Sequence, residues 1–160
     1  MPIYMKYANI KGEVTAKKWD KWFEVDSFQW GIGRSITQVG GGGISKRESS
    51  TPDVSEITVT KQTDAATTDL LKEVLGAKMD NKVQIDFTRT GQKGEEEPWL
   101  QLTLTDAAVS GFSMSSGGER ASESLSLNYT KIEVKYTVYD DKGSAKPSTV
   151  TYDLPTRGLT

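Results

Sequence analysis

Histidine and cysteine are both absent from this chain of 160 residues. Their absence removes serine or cysteine nucleophiles that need a histidine base, CxxC redox chemistry, and zinc sites built on those ligands. An enzyme here would have to run on carboxylates, lysine, tyrosine or a hard metal. Long apolar runs are also missing, and the opening MPIYMKYANIKGE holds no apolar signal-peptide core. No membrane span and no cleavable signal are therefore expected. Charge of one sign is scarce too. The 20 basic and 22 acidic residues are mixed along the chain for a net charge of -2, so no nucleic-acid-binding face is expected. The length suits one domain able to bury a core without cross-links.

What is present is alternation. In Glu123 to Tyr139 (ESLSLNYTKIEVKYTVY), Leu125, Leu127 and Tyr129 alternate with polar residues, and then Ile132, Val134, Tyr136 and Val138 take the even positions. An unbroken strand cannot change its inward parity, so a β-bulge near Thr130 and Lys131 is expected to bend it. Such a strand suits a small barrel or closed sandwich. Further strands are read at Ile3 to Ala8, Trp22 to Trp30, around Ile57 and Val59, at Val83 to Phe87, Trp99 to Thr105, Val109 to Met114 and Val150 to Leu154. Neither parity of Trp22 to Trp30 is cleanly apolar. Gly31 to Asp53 reads mostly as loop, with DDKG and the Lys146-Pro147 step as a later turn. One helix is expected over Asp64 to Gly76, with Leu70, Leu71, Val74 and Leu75 as its stripe, Thr67 or Asp64 capping its start and Gly76 ending it.

The candidate chemical motifs are weak. The run Gly40 to Gly43 lacks the Gly-Lys-Ser/Thr and the following helix of a phosphate loop, so it reads as a long polar interaction arm. Glu95, Glu96 and Glu97 lack the alternating oxygen ligands of a calcium loop and read as a solvated turn. Asn128-Tyr129-Thr130 fits a glycosylation sequon but falls mid-strand. No two carboxylates stand out as a hydrolase pair. Trp19, Trp22, Trp30 and Trp99 leave one binding alternative open, a monomeric β-sandwich module that stacks carbohydrate on its indoles.

The order of motifs resembles the Hcp (haemolysin-coregulated protein) family of type VI secretion. The matching pieces are IKGE at Ile10 to Glu13, W-x-E-V-x-S-x-x-W-G from Trp22 to Gly31, and the glycine-rich loop. They continue with DVSEITVTKQTDAATTDLL from Asp53 to Leu71 and ESLSLNYTKIEVKY from Glu123 to Tyr136. Thr67-Thr68 stands where many relatives have Ser/Thr-Pro. The resemblance covers nearly the whole chain. It implies a mainly β fold, a small β-barrel or closed sandwich with one flanking α-helix, related to phage tail-tube proteins. It also implies hexameric rings that stack into a tube, a contractile sheath, spike-tip (VgrG) proteins, and effectors carried in the channel. Assembly in the cytoplasm and export without a cleavable signal follow, with no catalysis, cofactor, nucleic acid or stable membrane insertion. On this reading Gly40, Gly41, Gly42, Gly43, Ser45, Lys46 and Arg47 form the subunit-interface loop. Thr90, Gly91, Gln92 and Arg157 serve ring stacking, and Ser115, Ser116 and Gly117 face the channel.

Overall fold

The computed structural model describes residues 1–38 and 47–160. In chain order the first strands are β1 (Ile3–Tyr7), β2 (Phe23–Val25), β3 (Ser27–Gln29), β4 (Ile32–Gly33), β5 (Ile36–Gln38), β6 (Arg47–Ser49), β7 (Asp53–Val54) and β8 (Ile57–Gln62). The helix α1 (Thr67–Gly76) follows, then β9 (Asn81–Thr90), β10 (Glu96–Ser115), β11 (Ser122–Asn128), β12 (Lys131–Tyr139), β13 (Ala145–Asp153) and β14 (Gly158–Leu159). Every ladder among the described residues is antiparallel.

A wide sheet runs in the order β2, β1, β9, β10, β12, β13, β14. A narrow sheet runs β10, β11, β8, β3. Both share β10, a strand of 20 residues. Up to Ala107 it pairs in the wide sheet, and from Ala108 it pairs with β11 in the narrow one. Its buried residues change parity at the crossing, from Leu102 and Leu104 to Ala107 and Val109. The register slips between Leu104 and Ala107, and Asp106 takes the left-handed φ of 51° that an aspartate tolerates.

The expected bulge near Thr130 is corrected by this arrangement. β11 and β12 are separate strands in different sheets, joined at Tyr129 and Thr130. The parity change is real, but it marks a move between sheets. Asp26 is a second such corner, with Phe23 and Val25 buried before it and Phe28 and Trp30 packed on the core after it. Its backbone N–H donates to Thr60 O at 2.7 Å. This explains why neither parity of Trp22 to Trp30 is apolar throughout. β2 pairs with β1 and β3 with β8, so the fold is not a closed barrel but a sandwich turned at its corners.

The core lies between the sheets, with Met5, Ile85 and Leu102 from the wide one and Val59, Leu125 and Leu127 from the narrow one. It contains charge. Lys61 Nζ, fully buried, donates to Glu123 Oε2 at 3.0 Å, Asp64 Oδ1 at 2.8 Å and Gln62 O at 2.9 Å. Thr67 Oγ1 donates to the other Glu123 oxygen at 2.6 Å. Each of these two buried charges thus has a partner of opposite sign, which desolvation demands. The same bonds hold the start of α1 to the narrow sheet, and Asp64 accepts locally from the Ala66 N–H at 2.9 Å.

α1 buries Leu70 and packs Val74, but Leu75 is exposed. The helix ends on Ala77 in the left-handed region (φ 52°), one residue beyond Gly76, and the Ala77 N–H donates to Glu73 O at 3.1 Å. The Lys146-Pro147 step also differs from expectation. Pro147 lies inside β13 at a point where that strand has no neighbour on its far side, a place that tolerates a missing N–H. Gly12 has a packing reason: a Cβ there would lie 2.4 Å from Trp22 O and 2.7 Å from Phe23 Cβ.

Candidate assembly surfaces

Three surfaces stand out once the sheets are assembled. The first is an arm. Within Gly31 to Asp53, expected to be mostly loop, the described residues form a two-stranded ribbon that leaves the sandwich, in which β4 pairs with β7 and β5 with β6. Hydrogen bonds from Ser55 N to Gly31 O (3.0 Å) and from Ser50 N to Ser35 O (2.8 Å) stitch its base. Ile36 and Arg47 on it are exposed. A lone ribbon gains little burial of its own, so contacts elsewhere would stabilise it. Gly40, Gly41, Gly42, Gly43, Ser45 and Lys46 lie outside the described residues.

The second surface is the inner face of the wide sheet beyond the narrow sheet's cover. Register carries the core rows outward, from Ile85 through Leu102 and Val134 to Val150, and from Phe87 through Leu100 to Tyr136. Burial is lost along the way: Tyr136 is 48%, Val138 50% and Val150 45% exposed. An aromatic row crosses the same region, with centroids 5.1 Å apart for Phe28 and Phe87, 5.8 Å for Phe87 and Trp99, and 6.2 Å for Trp99 and Tyr136. Trp99 Nε1 is buried there without an acceptor among the described residues. Between this face and the arm's base lies a groove of about 690 Å³, lined by Trp30, Ile32, Val150, Tyr152 and Leu159 with Arg34 and Arg157. Contiguous exposed apolar surface of this kind marks an interaction site.

The third surface is the outer face of the narrow sheet. Thr58, Thr60 and Gln62 on β8 and Ser122, Ser124, Ser126 and Asn128 on β11 point away from the core, because their neighbours Ile57, Val59, Leu125 and Leu127 point into it. Ser27 and Gln29 on β3 and Ser113 and Ser115 on β10 pair into the same face. Among the described residues these strand positions carry hydroxyls and amides and no ionisable side chain. The outer face of the wide sheet differs, presenting Lys6, Glu24, Glu133 and Lys135.

The sequence-read stacking residues fall at opposite ends of the wide sheet. Thr90 closes β9, and Gly91 and Gln92 form the turn beyond it, where Gln92 Nε2 donates to Asp141 O at 2.7 Å. Arg157 lies past the other end, after the Lys131 and Asp153 pair, with a left-handed φ of 56°. Ser115, Ser116 and Gly117 sit at the rim of the narrow sheet, Ser116 Oγ donating to Glu119 O at 2.7 Å. The tryptophans do not share a platform. Trp19 is buried and donates to Asp86 Oδ2 at 2.8 Å, Trp30 donates to Tyr129 Oη at 2.7 Å, and Trp99 packs between Phe87 and Tyr136. Sequence reading missed the exposed apolar half of the wide sheet, since its alternation is the same as that of a core strand.

A two-sheet sandwich with a projecting ribbon and an uncovered apolar sheet face is a mainly β protein that presents a surface for interaction. A family model described as type VI secretion system effector, Hcp, matches residues 4–136, and the chain belongs to the Hcp family of type VI secretion tube proteins. Solved structures share the fold. A type six secretion system protein is 24% identical, with TM-score 0.85 and 99% of both chains covered. Hcp1 from Salmonella typhimurium is 21% identical, with TM-score 0.77, covering 99% of this chain and 98% of its own. The secreted protein Hcp3 from Pseudomonas aeruginosa is 18% identical, with TM-score 0.59, covering 92% of this chain and 98% of its own. No curated protein matches significantly. Among the described residues no helix is long and apolar enough to cross a membrane.

Proposed function

We propose that this chain is a structural subunit that closes into hexameric rings and stacks into the inner tube of a type VI secretion machine. The observation that carries the reading is the uncovered apolar face of β12 and β13 beside the projecting arm, in a chain of this family. A face and an arm of different shape make a heterologous contact, and such contacts close into rings when the rotation allows. The loop from Gly40 to Arg47 then reaches a neighbouring subunit. The turn at Thr90, Gly91 and Gln92 meets the Arg157 end of the next ring, and repetition gives the tube.

The uncharged outer face of the narrow sheet suits the channel wall, with Ser115, Ser116 and Gly117 at its rim. Cargo passing a wall of hydroxyls meets hydrogen-bonding groups but no fixed charge. The mixed-charge face of the wide sheet then looks outward to the sheath. Spike-tip proteins at the tube end and effector proteins inside complete the partners, and the role is structural, without a catalytic step. Assembly is cytoplasmic and export follows the tube.

Light scattering on a sizing column tests this directly. A species of about six times 17.6 kDa, imaged as rings with a central hole, is the expected result. A monomer at tens of micromolar would remove the ring and with it the tube.

A further inference from the structure

We infer that the groove beside the arm receives the C-terminal end of α1 from a neighbouring copy, with Leu75 and Met79 as the entering side chains. This rests on the ring-forming reading and names the two surfaces that meet. Leu75 is 84% and Met79 68% exposed, and neither lines the groove of its own chain. Their exposure has a local cause. Leu70 and Val74 already turn toward the core, so the adjacent Leu75 points about 100° away from that line. The left-handed turn at Ala77 then leads Met79 out as well.

The groove offers the complement. Ile32, Val150, Tyr152 and Leu159 make it apolar, and its volume of about 690 Å³ is open to both side chains. Arg34 and Arg157 stand at its wall, and Asp80 follows Met79 at the negative end of the helix dipole. The heights also agree. The segment after α1 enters β9 at Asn81, which pairs with Ala107, and Arg157 follows Asp153, which pairs with Lys131. Both lie at the same end of the wide sheet. With the two ends of that sheet facing successive rings, rotation about the ring axis keeps that end at one level. Knob and groove lie on different parts of the surface, so the contact is heterologous and can close.

The cysteine-free sequence makes the test clean. Met79→Cys and Val150→Cys, combined in one chain and oxidised with diamide, are expected to give a ladder of covalent oligomers on non-reducing gels. Each single variant is expected to give none. A second pair does not depend on disulfide geometry: Asp80→Lys and Arg157→Asp are each expected to raise the concentration for half-dissociation about tenfold or more, and their combination to restore it. Rings at full mass with no ladder and no rescue would overturn the docking and leave the ring intact. A monomer by light scattering would overturn both.

Discussion

The inner face of the wide sheet has two halves with one chemistry and opposite fates. Met5, Ile85 and Leu102 lie under the narrow sheet and are buried, while Tyr136, Val138 and Val150, on strands with the same alternation, are about half exposed. The difference comes from width. The narrow sheet stops at β10, and β12, β13 and β14 extend past it. Apolar alternation therefore says that a face wants cover; it does not say whether the same chain provides it.

The covered half should fail hardest when its buried charge is broken. Lys61→Met leaves Glu123 without its cation and should cost about 3–5 kcal/mol in denaturant unfolding. A loss below about 1 kcal/mol would mean that water reaches the pair. Leu102→Ala follows at about 2–5 kcal/mol, from lost transfer and a cavity. The matching change in the uncovered half, Val150→Ala, should move a dilute monomer by less than about 1 kcal/mol while weakening ring formation. Equal effects of the two on the monomer would erase the comparison.

High pH should separate the covered region further. Burial, first of all, pushes the Tyr7 and Tyr129 phenols up to about 12. In Tyr7 the nearby Glu73 adds to the rise. An unfolded tyrosine loses its proton near 10, so above that pH the unfolded chain binds fewer protons than the folded one. Stability is then full below pH 10 and falls as pH rises toward about 12. Melting temperature across that interval measures it, and Tyr7→Phe should shallow the decline. The smallest effect should come at Ala77, whose φ of 52° favours glycine. Ala77→Gly should stabilise by about 0.5–1 kcal/mol in thermal melts, provided the end of α1 keeps this turn.

Much of the fold was legible because the backbone period is local. The alternations at Ile57 to Val59, Val83 to Phe87 and Leu100 to Leu104 all fall on strands, and the stripe containing Leu70 and Val74 falls on the helix. Parity changes were legible as events but not as causes. The one at Thr130 reads equally as a bulge or a change of sheet, and only the pairing of β11 with β8 and of β12 with β13 decides. The arm read as loop because β4 to β7 are only two or three residues each, too short to display a period, and β4 and β6 are exposed on both faces. Of the candidate surfaces, the turn at Thr90 to Gln92 and the tail at Arg157 could be named from order along the chain. Their position at opposite ends of one sheet depends on register.

Local patterning by itself determined that this is a mainly β domain with one helix, without thiol or imidazole chemistry, and its motif order marked the family. Side-chain period and residue type are properties of short segments, so a single sequence displays them. Tertiary structure alone decided which apolar face became core and which stayed open. It also placed the hydroxyl residues of β8, β11, β3 and β10 on one face and brought Arg34 and Arg157 to the wall of one groove. Those outcomes depend on which strands pair and where one sheet ends, which are contacts between residues far apart in the chain.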